Sequence, residues 1–180
     1  TPVKEVHPSG LPLGHGECPC SSCAWCMSDA EGRACVMAVV TDERGPPLPD
    51  DCPGCALWEP RIDSCDLCGA CCREAFDSVA LQPDDRVLQE HPDLIRHHSD
   101  GWRDLERVPS ETGWGSRCIA LLGRGKTDSP YRCTIYGARP TNCRDLKAGA
   151  VACRTARQRV GLSSLPPGVA RDGPWASMML

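Results

Sequence analysis

Fifteen of the 180 residues are cysteine, and their spacing is the first chemical signal in the chain. C-x-x-C steps occur at Cys20–Cys23, Cys23–Cys26, Cys52–Cys55, Cys65–Cys68 and Cys68–Cys71. Each step places two sulfurs on one side of a tight turn, which suits a metal ion or an iron–sulfur cluster. Disulfide frameworks spread their cysteines so that each bridge closes a loop, and an odd number cannot pair completely within one chain. The pattern predicts metal or cluster ligation rather than a secreted disulfide scaffold. Composition agrees: one Phe and two Tyr make a thin core for this length. Thin cores need staples.

The cysteines fall into two sets. Cys18, Cys20, Cys23, Cys26, Cys35, Cys52 and Cys55 belong to a first module, residues 1–62. Cys65, Cys68, Cys71, Cys72, Cys118, Cys133, Cys143 and Cys153 belong to a second, residues 63–165, followed by a tail at 166–180. Eight thiols make two groups of four, enough for two tetrahedral metals or two cubane clusters. Adjacent side chains usually diverge, so Cys72 is expected to leave the site of Cys65, Cys68 and Cys71 and join a second one. In the first module two readings stand. A zinc-ribbon-like site would use Cys23, Cys26, Cys52 and Cys55. A ferredoxin-like site would use Cys20, Cys23 and Cys26 with a distant fourth cysteine. His7 or His15 would bring the seven cysteines to eight ligands. All-Cys sites suit zinc and iron–sulfur alike. The triple C-x-x-C-x-x-C favours [4Fe–4S] clusters over Zn2+ in at least one site.

The elements that must carry these residues are expected to be short. Cys35–Val40 reads as a strand, followed by the turn-rich TDERGPPLPDD and the knuckle Cys52-Pro-Gly-Cys55. Ser78–Leu81, Arg117–Leu122 and Tyr131–Tyr136 read as strands, and helices are expected to start at Asp84 and at Pro92. Cys143–Val160 reads as one helix weakened by Gly149. In a continuous helix Cys143 and Cys153 would stand ~15 Å apart and serve different sites. The fold class is a small, irregular, metal-organised α+β protein with long cysteine-bearing loops.

Net charge is −4, with residues 1–64 at −6 and the remainder at +2. Nothing in that balance points to nucleic-acid binding. Arg139, Arg144, Lys147, Arg154, Arg157 and Arg159 against Asp145 make a local basic run, read as compensation for thiolate charge. Tyr136 is expected in the core. His91, His97 and His98 are expected on solvated helices, and Trp102 and Trp114 over a cluster. No run approaches the ~18 apolar residues of a membrane span. TPVKEVHPSG lacks an apolar signal core, so a reducing cytoplasm is the expected setting.

The segment CDLCGACC (65–72), then Cys118, then YRCTIYGARPTNCR (131–144), then Cys153 on a basic helix, resembles the CxxCxxCC or YkgJ-type family over residues 63–162. Its members are described as zinc- or iron-chelating, so the resemblance implies a metal- or iron–sulfur-binding domain. A flagellin lysine methylase related to that family looks like an iron–sulfur enzyme, which brings redox or methyl-transfer chemistry into view. No glycine-rich nucleotide site accompanies it here. Three roles follow as expectations: an electron carrier or accessory subunit with a protein partner, a zinc-stapled interaction module, and an enzyme with an open coordination position.

Overall fold

The computed structural model describes residues 7–8, 10–14, 18–37 and 47–164. His15, the end of the expected strand at 38–40, most of the following loop and the tail lie outside the described residues. Contacts divide the chain into two units. One runs up to Cys68 and includes Lys126–Asp128; the other comprises Gly69–Gly125 and Ser129–Ser164. The division falls inside the cysteine run, between Cys68 and Gly69.

In the N-terminal unit a short 3-10 turn, Cys20–Ser22, leads into the hairpin of β1 (Cys26–Asp29) and β2 (Gly32–Cys35). The register pairs Cys26 with Cys35, so the open end of the hairpin carries a cysteine on each strand. Asp29 Oδ1 accepts the Glu31 N–H at 2.8 Å and shapes the turn. The expected strand at Cys35–Val40 is therefore displaced: the strand ends at Cys35 and the chain turns at residues 36–37. The Cys52–Cys55 segment returns alongside, with Cys20 N–H donating to Cys52 O at 2.9 Å and Pro19 bridged to Pro53. The core here is largely sulfur: Cys20, Cys23, Cys26, Cys35 and Cys52 bury with Leu48 against Trp25 and Trp58. Among the described residues, the unit's last element is α1 (Cys65–Cys68).

The second unit holds α2 (Val87–Glu90), then β3 (Ile95–His97) with β4 (Arg103–Leu105) and β5 (Arg107–Pro109) with β6 (Ser116–Cys118). Next come β7 (Leu121–Leu122) with β8 (Arg132–Cys133), then α3 (Thr141–Asp145) and α4 (Val151–Arg159). Every described strand pair is antiparallel and two-stranded. Leu81, Val87, Leu105, Ala120, Leu121 and Ile135 form the apolar core, and Cys118 is buried among them. Each large side chain fully buried there contributes about 1.5–3 kcal/mol. The result is the small irregular α+β fold expected from the sequence.

Several local expectations are corrected. The segment from Pro92 makes one 3-10 turn, Pro92–Leu94, and then a strand, because Ile95 and Arg96 pair with Leu105 and Asp104. Arg117–Leu122 is two strands separated by residues 119–120, and Tyr131–Tyr136 leaves extended backbone after Cys133. Cys143 and Cys153 do not share a helix. The chain breaks between α3 and α4, where Gly149 takes φ +79°, a conformation open mainly to glycine. The ~15 Å separation along a helix axis therefore does not apply.

Candidate metal centres

His7 is buried in the N-terminal unit, with Nε2 2.9 Å from Cys20 Sγ and 3.1 Å from Cys52 Sγ. The three ligand atoms lie within 4.8 Å of one another. A turn fixes the histidine: its N–H donates to Leu11 O at 3.0 Å and its carbonyl accepts from Gly10 N–H at 2.8 Å. Burial holds the imidazole pKa below its ordinary value, with a hydrogen bond to the Pro53 backbone opposing, which keeps the ring neutral and ligand-competent. Burial pushes the Cys20 thiol well up, and Cys52, Cys23 and Cys55 add to the effect. Cys23, Cys26 and Cys35 are raised for the same first reason. Cys26 repels Cys23, while Cys35 repels Cys55, Cys26 and Cys52. Arg33 and Arg61 offset part of the rise at Cys26. Cys18 and Cys55 are also buried. Buried thiols that repel one another as thiolates, as Cys20, Cys23, Cys26, Cys35, Cys52 and Cys55 do, suit a divalent cation, which reverses the penalty by binding the deprotonated form.

In the second unit the doublet behaves differently from expectation. Cys71 and Cys72 do not diverge; their sulfurs stand 3.9 Å apart. Two thiolates on one tetrahedral zinc are ~3.7 Å apart, from the ~2.3 Å bond length. The turn at Gly69 turns both sulfurs the same way: Cys72 N–H donates to Gly69 O at 2.9 Å. Gly69 has φ +57°, and a Cβ there would sit 2.5 Å from the Tyr131 ring. The contact between the two thiols, in which either can donate, holds the Cys71 thiol down to about 7, against the opposing effect of burial. The same contact, together with burial, pushes Cys72 strongly up.

Further thiols surround this pair. Cys118 N–H donates to Cys72 O at 2.8 Å. Cys72 is pushed up further by the charges of Cys71, Cys143 and Cys118. Cys143 is pushed up to about 12 by burial, then by Cys118, Cys71 and Cys133. Cys118 is raised by burial and by Cys133. Charge thus links Cys71, Cys72, Cys118, Cys133 and Cys143, although among the described residues only His7, Cys20 and Cys52 bring three ligand atoms within 4.8 Å of one another. Cys153 is buried on α4, Cys68 is buried on α1 and Cys65 is exposed there. None of the cysteines, all of which are described, is in a disulfide.

Some surrounding groups were legible in the sequence and others were not. Arg139 lowers the pKa of both Cys71 and Cys143, as the compensation reading expected. Arg157 is instead fully buried and donates to Ser163 O at 2.7 Å. Arg159 donates to Ala75 O at 3.0 Å. Arg107 was missed. It is buried on β5 directly opposite Cys118, and its charge reaches Cys118 and Cys72. Its Nη2 donates to Arg73 O and Ser116 O, both at 2.6 Å, and Nη1 is buried with no hydrogen-bond partner. A lone arginine in a strand carries no sequence signal for such a role. Asp85 was also missed as a positioning group: its Oδ1 accepts from Thr141 N–H at 2.7 Å and from Thr141 Oγ1 at 2.8 Å, at the start of α3 two residues before Cys143.

Three expectations fail here. Trp114 is 82% exposed and Trp102 40%, so neither side chain is buried over a cluster. Trp102 packs against His98 at a ring separation of 4.7 Å. Tyr136 is 65% exposed and lies under the Arg139 guanidinium at 3.6 Å, because the 3-10 turn from Tyr136 to Ala138 carries the ring outward. His98 is not simply solvated, since Nε2 pairs with the buried Asp104 at 3.1 Å.

Buried thiols gathered on short elements define a cysteine-rich, metal-binding protein. The chain belongs to the CxxCxxCC family, described as a "Putative zinc- or iron-chelating domain", whose profile matches residues 64–159, more than half of its length. That match spans every cysteine from Cys65 to Cys153 and leaves the His7, Cys20 and Cys52 group outside it. Comparisons with curated proteins and with solved structures find no match. Among the described residues, no helix is long and apolar enough to cross a membrane.

Proposed function

We propose that the family domain chelates metal through Cys71, Cys72, Cys118, Cys133 and Cys143, and that the centre holds more than one metal atom. The observation that carries this reading is the 3.9 Å approach of the Cys71 and Cys72 sulfurs, with Cys118, Cys133 and Cys143 linked to them electrostatically: five thiols, one more than a single tetrahedral ion can use. The donor set fits the group. Every member is a thiol, Cys118 is embedded in an apolar core, and the buried Arg107 guanidinium supplies an unspent N–H and a compensating charge. Hydrogen bonds toward cluster sulfur and a dry surrounding are the levers by which a protein tunes an iron–sulfur centre. An iron–sulfur centre of the [4Fe–4S] kind is thus our preferred occupant; the Cys71 and Cys72 sulfurs, 3.9 Å apart here, would part to bind different irons. Such a group supplies one-electron transfer, and the role we assign is an electron carrier or accessory subunit working with a protein partner in a reducing, cytoplasmic setting. The part played by the chain itself is to hold the thiols together, exclude water and balance their charge.

A second reading rests on the 3.9 Å between the doublet's sulfurs, which matches two ligands on one ion and favours zinc as a structural staple. Anaerobic purification with a visible spectrum and counts of iron, acid-labile sulfide and zinc decides between them. Brown protein with sulfide matching its iron supports the first. Colourless protein with stoichiometric zinc alone overturns it in favour of the second. Metal-free folded protein sinks both.

A further inference from the structure

We infer that the N-terminal unit, outside the residues matched to the family, carries its own mononuclear site in which His7 Nε2, Cys20 Sγ and Cys52 Sγ bind one zinc-class divalent ion.

The three groups converge from distant parts of the chain. The His7 turn, the Cys20–Ser22 turn and the Cys52–Cys55 knuckle meet, and Cys20 N–H to Cys52 O together with the Pro19–Pro53 bridge hold the last two in register. All three side chains are buried, the histidine at 1% exposure. Its Nε2 faces both sulfurs at 2.9 and 3.1 Å. Zinc bonds of ~2.3 Å to sulfur and ~2.0–2.1 Å to nitrogen, at tetrahedral angles, set ligand atoms about 3.5–3.7 Å apart. The observed spacing needs only a small outward relaxation to admit one ion. A single ion suits that spacing better than a cubane cluster, whose cysteines each bind a different iron and stand farther apart. Mixed imidazole and thiolate ligation also matches the softness of zinc better than that of magnesium or calcium. A neighbouring thiol completes the tetrahedron, and Cys55 and Cys23 are both within electrostatic reach of Cys20. Cys20 is thereby removed from the ferredoxin-like trio with Cys23 and Cys26 that its spacing suggested.

The test uses the full chain, purified anaerobically, with zinc and iron counted per chain and the zinc coordination shell read by X-ray absorption. Unaltered protein should show a nitrogen ligand at ~2.0–2.1 Å beside sulfur at ~2.3 Å. His7→Ala should lose about one zinc per chain and the nitrogen contribution while keeping the iron content unchanged. His7→Cys should restore the zinc with an all-sulfur shell. A shell without nitrogen in the unaltered protein overturns the site, and that result needs no variant to fold. Retention of all zinc by His7→Ala also overturns it. Loss of iron alone from Cys72→Ser would concern the family domain and leave this site standing, so the two assignments fail separately.

Discussion

Cys71 and Cys72 show how far one residue's surroundings override its place in a motif. Adjacency predicts divergence, yet the turn at Gly69 brings the sulfurs to 3.9 Å and lets them share a proton. If they serve one centre, Cys71→Ser and Cys72→Ser should each lower the same metal by the same amount, and the double variant should lower it no further. Loss of different metals from the two variants, read by elemental analysis, would restore the diverging picture. Gly69 is the residue that makes the arrangement possible. Gly69→Ala meets both a positive φ and the Tyr131 ring, and should cost about 1–3 kcal/mol of stability in denaturant unfolding.

Elements this short cannot hold their positions by helix or strand propensity. α3 has five residues, and its start is tied to Asp85, whose carboxylate also accepts from Gln82 N–H at 2.8 Å. Burial alone would raise that carboxyl, but the bonds from Gln82 and Thr141 and the charge of Arg144 outweigh it and keep it ionised. Asp85→Asn should cost about 1.5–3 kcal/mol, as for a hydrogen bond to a charged group. It should also weaken metal retention in chelator competition, because α3 carries Cys143. Asp104 anchors the β3–β4 pair in the same way, binding Arg96 Nε at 3.0 Å and Nη2 at 2.5 Å. Burial pushes its carboxyl up, and Arg96 and His98 overcome that push and depress it. A depressed folded-state pKa gives stability that is present above the unfolded value, ~3.9, and is lost as pH falls through the folded one. Melting curves should show the unaltered protein losing this contribution below about pH 4. Asp104→Asn should be less stable at neutral pH and flatter across that acid range; an unchanged acid slope would remove Asp104 from the account.

At the scale of the molecule, metal binding and folding are expected to be one equilibrium. The N-terminal core consists mainly of cysteines, with Leu48 the sole aliphatic side chain in its buried cluster among the described residues. Thiols packed without a cation contribute modest apolar burial, and as thiolates they repel one another. A strong chelator under reducing conditions should therefore abolish cooperative melting by circular dichroism, at least for that unit. Retained cooperativity in metal-free protein would show that side-chain packing alone holds the fold. The second unit has the larger aliphatic core and should keep more residual structure, visible as slower amide exchange around Val87 and Leu105.

The sequence by itself determined the class of chemistry. Fifteen cysteines in C-x-x-C steps with few aromatic residues already meant metal and a small irregular α+β fold, because local spacing sets how sulfurs can cluster and composition limits the core. The family could be read from CDLCGACC and YRCTIYGARPTNCR for the same reason: those signals are contiguous. Tertiary structure decided which thiols meet. His7 reaches Cys52 across 45 residues, and Arg107 faces Cys118 across a strand pair whose strands the sequence did not fully mark. Tertiary structure also brought the doublet together and broke the last helix between Cys143 and Cys153. Ligand groups are assembled by chain reversals, and spacing along the chain says nothing about where a reversal brings distant residues back.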